Sequence, residues 1–320
     1  MTVLMAGCGD LGTEAALRFA AAGHRVVGWR RSPEKLPPAI EGAVADLSAG
    51  ELPPLPADTT AVVVAIAADS PTEAAYRAAY VDGLSNVLDA VLDAGAPVRR
   101  VLFVSSTAVY GDAGGDWVDE RTTPAPGGFS GRTIREAEDL LTSRLSGTGI
   151  TPVVLRLGGI YGPGRTRLID QVRGGSAVIP AESRFTNRIH RDDAAAAIVH
   201  LCSMESAPDP VYLGVDNEPA ELGEVLSFLA AELGLPQPPS GTADRGGQGG
   251  GSKTGNSQAG NSQAGSSQSG NSQAGGGEPS RGGNKRCSNA LLRSTGFEFR
   301  YPTFREGYRD ILAGLGVRYP

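Results

Sequence analysis

Short apolar runs alternate with amphipathic stretches along most of this chain. Val3–Gly7, Arg25–Trp29, Gly42–Asp46, Thr60–Ala67, Arg100–Ser105 and Pro152–Leu157 read as strands. Runs that are apolar on both faces belong in a parallel sheet covered on each side. Between them, Leu11–Ala22, Thr72–Asp93 and Thr133–Ser146 carry apolar residues at helical spacing. The first of these ends at Gly23, a residue suited to a helix C-terminus. Three later stretches, "RDDAAAAIVHLC", "ELGEVLSFLAAELG" and "TFREGYRDILAGLG", predict helices of a smaller lobe beyond about residue 158. Asp192 or Asp193 is the expected N-cap of the first of them.

The pattern fails between about Ser240 and Gly283. There the composition falls to Gly, Ser, Asn, Gln and Ala, and "GNSQA" recurs at 255, 260 and 270. A five-residue period without apolar side chains can bury nothing, so a disordered polar insertion within the small lobe is expected. Loop closure cost grows only with the logarithm of length, and folding tolerates such an insertion. The expected division is 1–157 for a nucleotide-binding domain and 158–320 for the smaller lobe, with contributions from the latter to the core.

Charge and composition narrow the chemistry. The formal net charge is −6, which argues against nucleic acid as a partner. The longest apolar run, "AVVVAIAA" at 61–68, suits a buried strand and is too short to cross a membrane. The N-terminus shows no signal-peptide pattern, so a cytoplasmic location is expected. Cys8, Cys202 and Cys287 offer neither a disulfide framework nor a metal clip. His24, His190 and His200 have no zinc spacing, and no metal is expected. Cys8 is either a small loop residue or a thiol acidified by the following helix.

The first strand runs into Gly7-Cys8-Gly9-Asp10-Leu11-Gly12 and then a helix, the context in which G-x-G-x-x-G binds a dinucleotide. Gly7 would permit the turn, Gly9 the approach of a pyrophosphate, and Gly12 close helix–strand packing. Asp10 is out of place beside a phosphate unless its side chain turns away. The second strand ends in Arg30-Arg31-Ser32, where an NAD site wants an acid for the ribose 2′-hydroxyl. A guanidinium fork suits a 2′-phosphate, so NADP(H) is expected ahead of NAD(H). Asp46, after the third strand, is either a partner for the adenine amino group or a turn aspartate. Leu47 and Ala65 complete the expected cofactor contacts with Gly7, Gly9, Asp10, Leu11, Gly12, Arg30, Arg31 and Asp46.

"VLFVSSTAVYGD" at 101–112 resembles the extended short-chain dehydrogenase/reductase family, also called the NAD-dependent epimerase/dehydratase family. "YVDGLSNVLDAV", "LRLGGIYGPGR", "RIHRDDAAAAI" and "YLGVDNEP" are similar to further landmarks of that family. The resemblance implies a Rossmann doubly wound parallel sheet with a small C-terminal α/β substrate lobe. It implies an oxidoreductase that moves hydride to or from a carbonyl or alcohol carbon. It places Ser106 as the catalytic hydroxyl, and it suggests a homodimer through the two long helices. The family's Tyr-x-x-x-Lys pair falls on Ser130 and Ile134, and no tyrosine here precedes a lysine by four. In this the chain resembles an atypical, YeeZ-like group.

With that pair missing, Tyr110 and Tyr161 are candidate substrate contacts, and Arg132 or Arg135 a substitute cation. Arg184, Arg188, Lys285 and Arg286 are candidate anion holders, and Ser288 a helix cap. Two functions follow as expectations. One is an NADP(H)-dependent oxidoreductase of atypical type. The other is a non-catalytic NADP(H)-binding sensor or partner-binding module.

Overall fold

The computed structural model describes residues 1–241 and 283–320, so the repeat expected between about 240 and 283 lies almost wholly outside the described residues. From the N-terminus, β1 (Thr2–Ala6), α1 (Asp10–Ala21), β2 (Arg25–Arg30), β3 (Glu41–Val44) and β4 (Thr59–Val64) alternate. A helical arm follows: α2 (Glu73–Tyr76), a π-helical turn over Arg77–Asp82, and α3 (Gly83–Asp93). Next come β5 (Arg100–Ser106), β6 (Trp117–Val118), α4 (Phe129–Leu145), β7 (Thr151–Leu157) and β8 (Gly159–Tyr161). The rest of the described chain is α5 (Arg167–Arg173), β9 (Phe185–Thr186), β10 (Arg188–His190), α6 (Arg191–Ser203), β11 (Val211–Gly214), β12 (Ala220–Glu221) and α7 (Leu222–Glu232). Beyond residue 283 lie β13 (Arg286–Cys287), α8 (Ala290–Ser294) and α9 (Phe304–Leu312).

Seven strands form one parallel sheet in the order β11-β7-β5-β4-β1-β2-β3. This is the doubly wound architecture that the alternation predicts. Side chains alternate across it: Val3 and Met5 join the core under α1 and α6, while Leu4 and Ala6 join the core under α3 and α4. Both faces are therefore apolar, and each helical layer has something to bury against. A third, smaller core lies among Ile169, Val172, Leu226, Leu229, Phe304 and Tyr308, on α5, α7 and α9. The main sheet also draws on the chain beyond residue 157, because β11 hydrogen-bonds along β7.

Several boundaries differ from the sequence expectation. The fourth strand stops at Val64, and 65–69 turn outward to line a cleft. The expected helix over Thr72–Asp93 is interrupted by the π turn. α4 starts at Phe129, four residues before the expected Thr133, and the Phe129 ring packs edge-on against Tyr76. Gly131 belongs to that early turn for a steric reason: a Cβ there would stand 2.6 Å from the Ala108 carbonyl oxygen. Neither Asp192 nor Asp193 caps α6, since His190 does so by accepting from Asp192 N. Asp193 instead accepts from the Arg300 and Tyr301 amides, each at 2.9 Å. Asn289, not Ser288, is the N-cap of α8.

Candidate functional site

β1 and β4 are neighbours whose connections run to opposite sides, the switch point at which doubly wound sheets open a crevice. A cleft of about 490 Å³ opens there, lined by Gly7, Gly9, Trp29–Ser32, Lys35, Ala45–Ser48 and Ala65–Asp69. Gly7 turns the chain at φ +83°, and a Cβ on it would stand 2.6 Å from the Ala65 carbonyl oxygen. A Cβ on Gly12 would come within 2.8 Å of the Gly7 carbonyl oxygen. A Cβ on Gly9 would meet nothing within 4 Å, so its backbone faces open space. No side chain among the described residues caps α1, and its first N–H groups remain available at the cleft.

Charges of both signs meet at the far wall. Arg31 makes a two-pronged, exposed pair with Asp69 at 2.6 and 2.7 Å. That bond holds the Arg31 guanidinium above its ordinary range and the Asp69 carboxyl below it. Arg30 is different: its Nη1 is buried without a hydrogen-bond partner among the described residues. Lys35 adds a third cation to this wall. Asp46 accepts from Ser48 N at 3.1 Å and Ser48 Oγ at 2.7 Å, a short-turn cap that leaves it on the cleft's lining. Leu47 and Ala65 line the same cleft, while Leu11 is buried in the core beneath it.

Asp10 turns away, as its charge requires. Its carboxylate accepts from Arg165 Nε at 2.8 Å, Arg191 Nη1 at 3.1 Å and Tyr319 N at 3.4 Å. Cys8 is buried beside Thr13, and burial pushes its thiol up to about 11. The acidified-thiol alternative is thereby corrected, since desolvation outweighs the Thr13 hydrogen bond and the Arg30 charge.

A second cavity, of about 1150 Å³, lies past the ends of β5 and β7. Ser106 lines it, and its Oγ accepts from Ala108 N at 3.2 Å, capping the turn Thr107–Tyr110. That bond fixes the oxygen and leaves the hydroxyl proton free to donate. Tyr161 also lines the cavity, stacked edge-on against His190 with a long bond to the Thr303 carbonyl oxygen. Burial drives its phenol far above the ordinary range. Arg165, Arg167, Arg184 and Arg188 complete a strongly cationic lining.

Tyr110 does not reach this cavity and is corrected from candidate contact to framework. It is buried, donates to the Asp119 carbonyl oxygen at 2.7 Å and accepts from Arg156 Nη1 at 2.7 Å. Arg156 in turn grips Glu138 through Nε at 2.8 Å and Nη2 at 2.6 Å, and Ser105 Oγ donates to Glu138 at 2.6 Å. This closed network ties β5, β7 and α4 together immediately behind Ser106. Ile134 is buried within the same layer. Arg135 is committed to Glu138 and Asp139, while Arg132 is exposed and makes no side-chain pair among the described residues; neither lines the larger cavity. Lys285 donates to the Gly111 carbonyl oxygen, and Arg286 lies between the Trp117 and Phe185 rings. Of the four expected anion holders, Arg184 and Arg188 are the two on the cavity lining.

Sequence reasoning missed Lys35, Asp69, Arg165, Arg167 and the Glu138–Arg156 pair. The basic run "RRSPEK" and "GPGRTR" carried a signal for three of them. Asp69 is one acid in a polar loop, and only the fold brings it opposite Arg31.

Known proteins match this architecture. Residues 3–213 match the model of the NAD dependent epimerase/dehydratase family. Protein YeeZ of Escherichia coli K12 is 31% identical over 206 residues, covering 62% of this chain and 72% of YeeZ. A Methylobacillus flagellatus protein, provisionally assigned as an NAD-dependent epimerase/dehydratase, superposes with a TM-score of 0.71 at 33% identity over 98% of both chains. MoeE5, solved in complex with UDP-glucuronic acid and NAD, shares the fold at 20% identity and a TM-score of 0.71 over 96% of both chains. The matched span takes in the glycine loop, the Ser106 strand end and the sheet through β11, so the chain belongs to the NAD dependent epimerase/dehydratase family.

Proposed function

We propose that this protein binds NADP(H), ahead of NAD(H), in the smaller cleft and exchanges hydride with a carbonyl or alcohol carbon in the larger cavity. The observation that carries this reading is Arg30, whose Nη1 is buried at the end of β2 without an acceptor among the described residues. Arg31 and Lys35 flank it on the same wall. The Arg31–Asp69 pair is exposed, and such pairs are worth only ~0–1 kcal/mol. A phosphate dianion displaces it easily, because a charge-assisted bond contributes ~1.5–3 kcal/mol. The residues fit a dinucleotide: Gly9 leaves room at the backbone, and α1 presents its N–H groups to an anion. That MoeE5 is seen with NAD on the same fold supports the placement.

The cofactor supplies the hydride donor or acceptor. The chain supplies orientation. Ser106 donates a hydrogen bond to the substrate oxygen from a position fixed by Ala108 N. Its hydroxyl is no base near neutral pH, and the Tyr161 phenol is held neutral by burial. Water therefore carries the proton, and turnover is slow by the ~10²–10⁴-fold that a positioned acid–base group contributes. The same gap favours a second reading, a cofactor-binding module without turnover, because serine and a buried isoleucine stand where the family carries its pair. In both readings residues 1–157 hold the cofactor, and 158–241 with 283–320 form most of the second lobe.

Titration with NADPH and NADH, followed by quenching of Trp29 on the cleft wall, tests the proposal. Tighter binding of NADPH by about tenfold is expected. Equal or tighter binding of NADH overturns the phosphate reading. NADPH consumption with an oxo substrate then separates the enzyme from the module.

A further inference from the structure

The larger cavity holds more positive charge than the fold needs. Arg165 is paired with Asp10. Arg167 and Arg184 make no side-chain hydrogen bond or ion pair among the described residues. Asp170 is the one carboxylate among the described lining residues, and it already accepts from Thr166 Oγ1 at 2.7 Å.

Arg188 is the decisive side chain. It is 5% exposed, stands on the cavity lining, and lies 5.5 Å from the Phe304 ring. Its Nη2 donates to Thr186 Oγ1 at 2.5 Å, but its Nη1 has no acceptor among the described residues. The Tyr308 hydroxyl also interacts with the guanidinium, whose charge and hydrogen bond hold the phenol down against burial, but Nη1 is left without an acceptor among the described residues. Asp216 does not neutralise it at close range: Asp216 Oδ2 is itself without a partner, and burial pushes that carboxyl up to about 8. A buried guanidinium with an open N–H is costly unless an anion completes it.

The aromatic rings at the cavity are already engaged. Phe185 stacks on Arg286 at 4.8 Å, and Tyr161 packs on His190 and Tyr308. Recognition therefore rests on charge, not on a planar base. We propose that this cavity takes a doubly anionic substrate, with one phosphate or carboxylate group held by Arg188 at the floor and a second by Arg184 and Arg167 nearer the mouth. This deepens the functional reading above and rests on it, in that the cavity is taken as the substrate site.

The test is a calorimetric titration of the full chain with 3-phosphoglycerate, glycerol 3-phosphate and glycerol, which share a backbone and carry two, one and no anionic groups. Malate and lactate form a carboxylate arm, and uridine diphosphate a nucleoside arm. 3-Phosphoglycerate is expected to bind at least about tenfold more tightly than glycerol 3-phosphate, with no binding of glycerol. Malate exceeding lactate by a similar factor extends the result to a carboxylate pair. Arg188→Gln and Arg184→Gln are each expected to lower 3-phosphoglycerate affinity about tenfold or more. The Arg184 site is only half-buried, so that variant tests the idea even where loss of Arg188 unfolds the protein. Equal affinity for one and two anionic groups overturns the proposal, as does uridine diphosphate binding more tightly than every nucleoside-free dianion. NADPH titration of the same sample separates the two readings. NADPH binding without dianion binding sinks this inference alone, and dianion binding without NADPH binding sinks the cofactor reading alone.

Discussion

Two arginine–carboxylate systems sit on opposite sides of the sheet's C-terminal edge, and they are built for opposite purposes. Behind Ser106, Arg156 and Glu138 are each about 2% exposed and are bonded on every side, to each other, Tyr110 and Ser105. At the smaller cleft, Arg31 and Asp69 make an equally short fork in open solvent, beside an Arg30 whose Nη1 lacks an acceptor among the described residues. The first system has no spare valence and holds three elements in register. The second is exchangeable at little cost. Similar bond lengths thus conceal very different energies, because the surrounding dielectric sets the worth of a pair.

The sharpest way to break this contrast is Arg156→Met. It leaves the buried Glu138 with only the Ser105 hydroxyl and Arg135 at its rim, and a stability loss of about 3–5 kcal/mol is expected in urea unfolding. NADPH affinity of the folded fraction should change little. A loss below about 1 kcal/mol would mean that the network is as dispensable as a surface pair. Next in size is Gly7→Ala, which adds a Cβ 2.6 Å from the Ala65 carbonyl oxygen at φ +83°. It should cost ~1–3 kcal/mol and abolish measurable nucleotide binding. Retained NADPH binding would show that the turn is not the cradle.

Arg30→Ala should weaken NADPH about tenfold while leaving NADH within about threefold. Equal losses for both nucleotides would move Arg30 from the 2′-phosphate to a general role. Asp69→Asn is expected to raise NADPH affinity by a factor of about two to five, since it frees Arg31 from a weak competitor. A further effect concerns pH. Asp216 has its folded pKa raised from 3.8 to about 8, so the folded state holds a proton that the unfolded state has released. Its contribution to stability is complete below pH about 4 and is lost as pH rises through about 8. Asp216→Asn should flatten the decline of stability across that window, as read by unfolding midpoints at several pH values. An unchanged slope would place the titration elsewhere.

Much of this arrangement was legible in the sequence. Strand alternation predicts the parallel sheet, and the glycine motif sits at its first turn. Arg30, Arg31, Asp46, Leu47 and Ala65 come together at one cleft, although they belong to three strand ends. Local signals reached that far because each residue lies at a strand terminus, where the fold rule itself supplies the position. Other residues needed the third dimension. Tyr110 and Tyr161 look alike as "VYG" and "IYG", yet Tyr110 is locked behind the sheet and Tyr161 borders the cavity. Arg188 and Arg286 were equal candidates, and packing alone separated them. Asp192 and Asp193 looked like caps because propensity cannot see the Arg300–Tyr301 amides arriving from more than a hundred residues away.

β11 has a bearing on how the molecule comes into being. Val154 faces Val211 in the sheet, so the flank of β7 stays open until a segment some sixty residues downstream has emerged and docked. A nascent chain leaving the ribosome at ~5–20 residues per second carries that open flank for several seconds. Unpaired strand flanks template association between chains, so the interval before Val211–Gly214 arrives is when newly made copies are most prone to stick to one another.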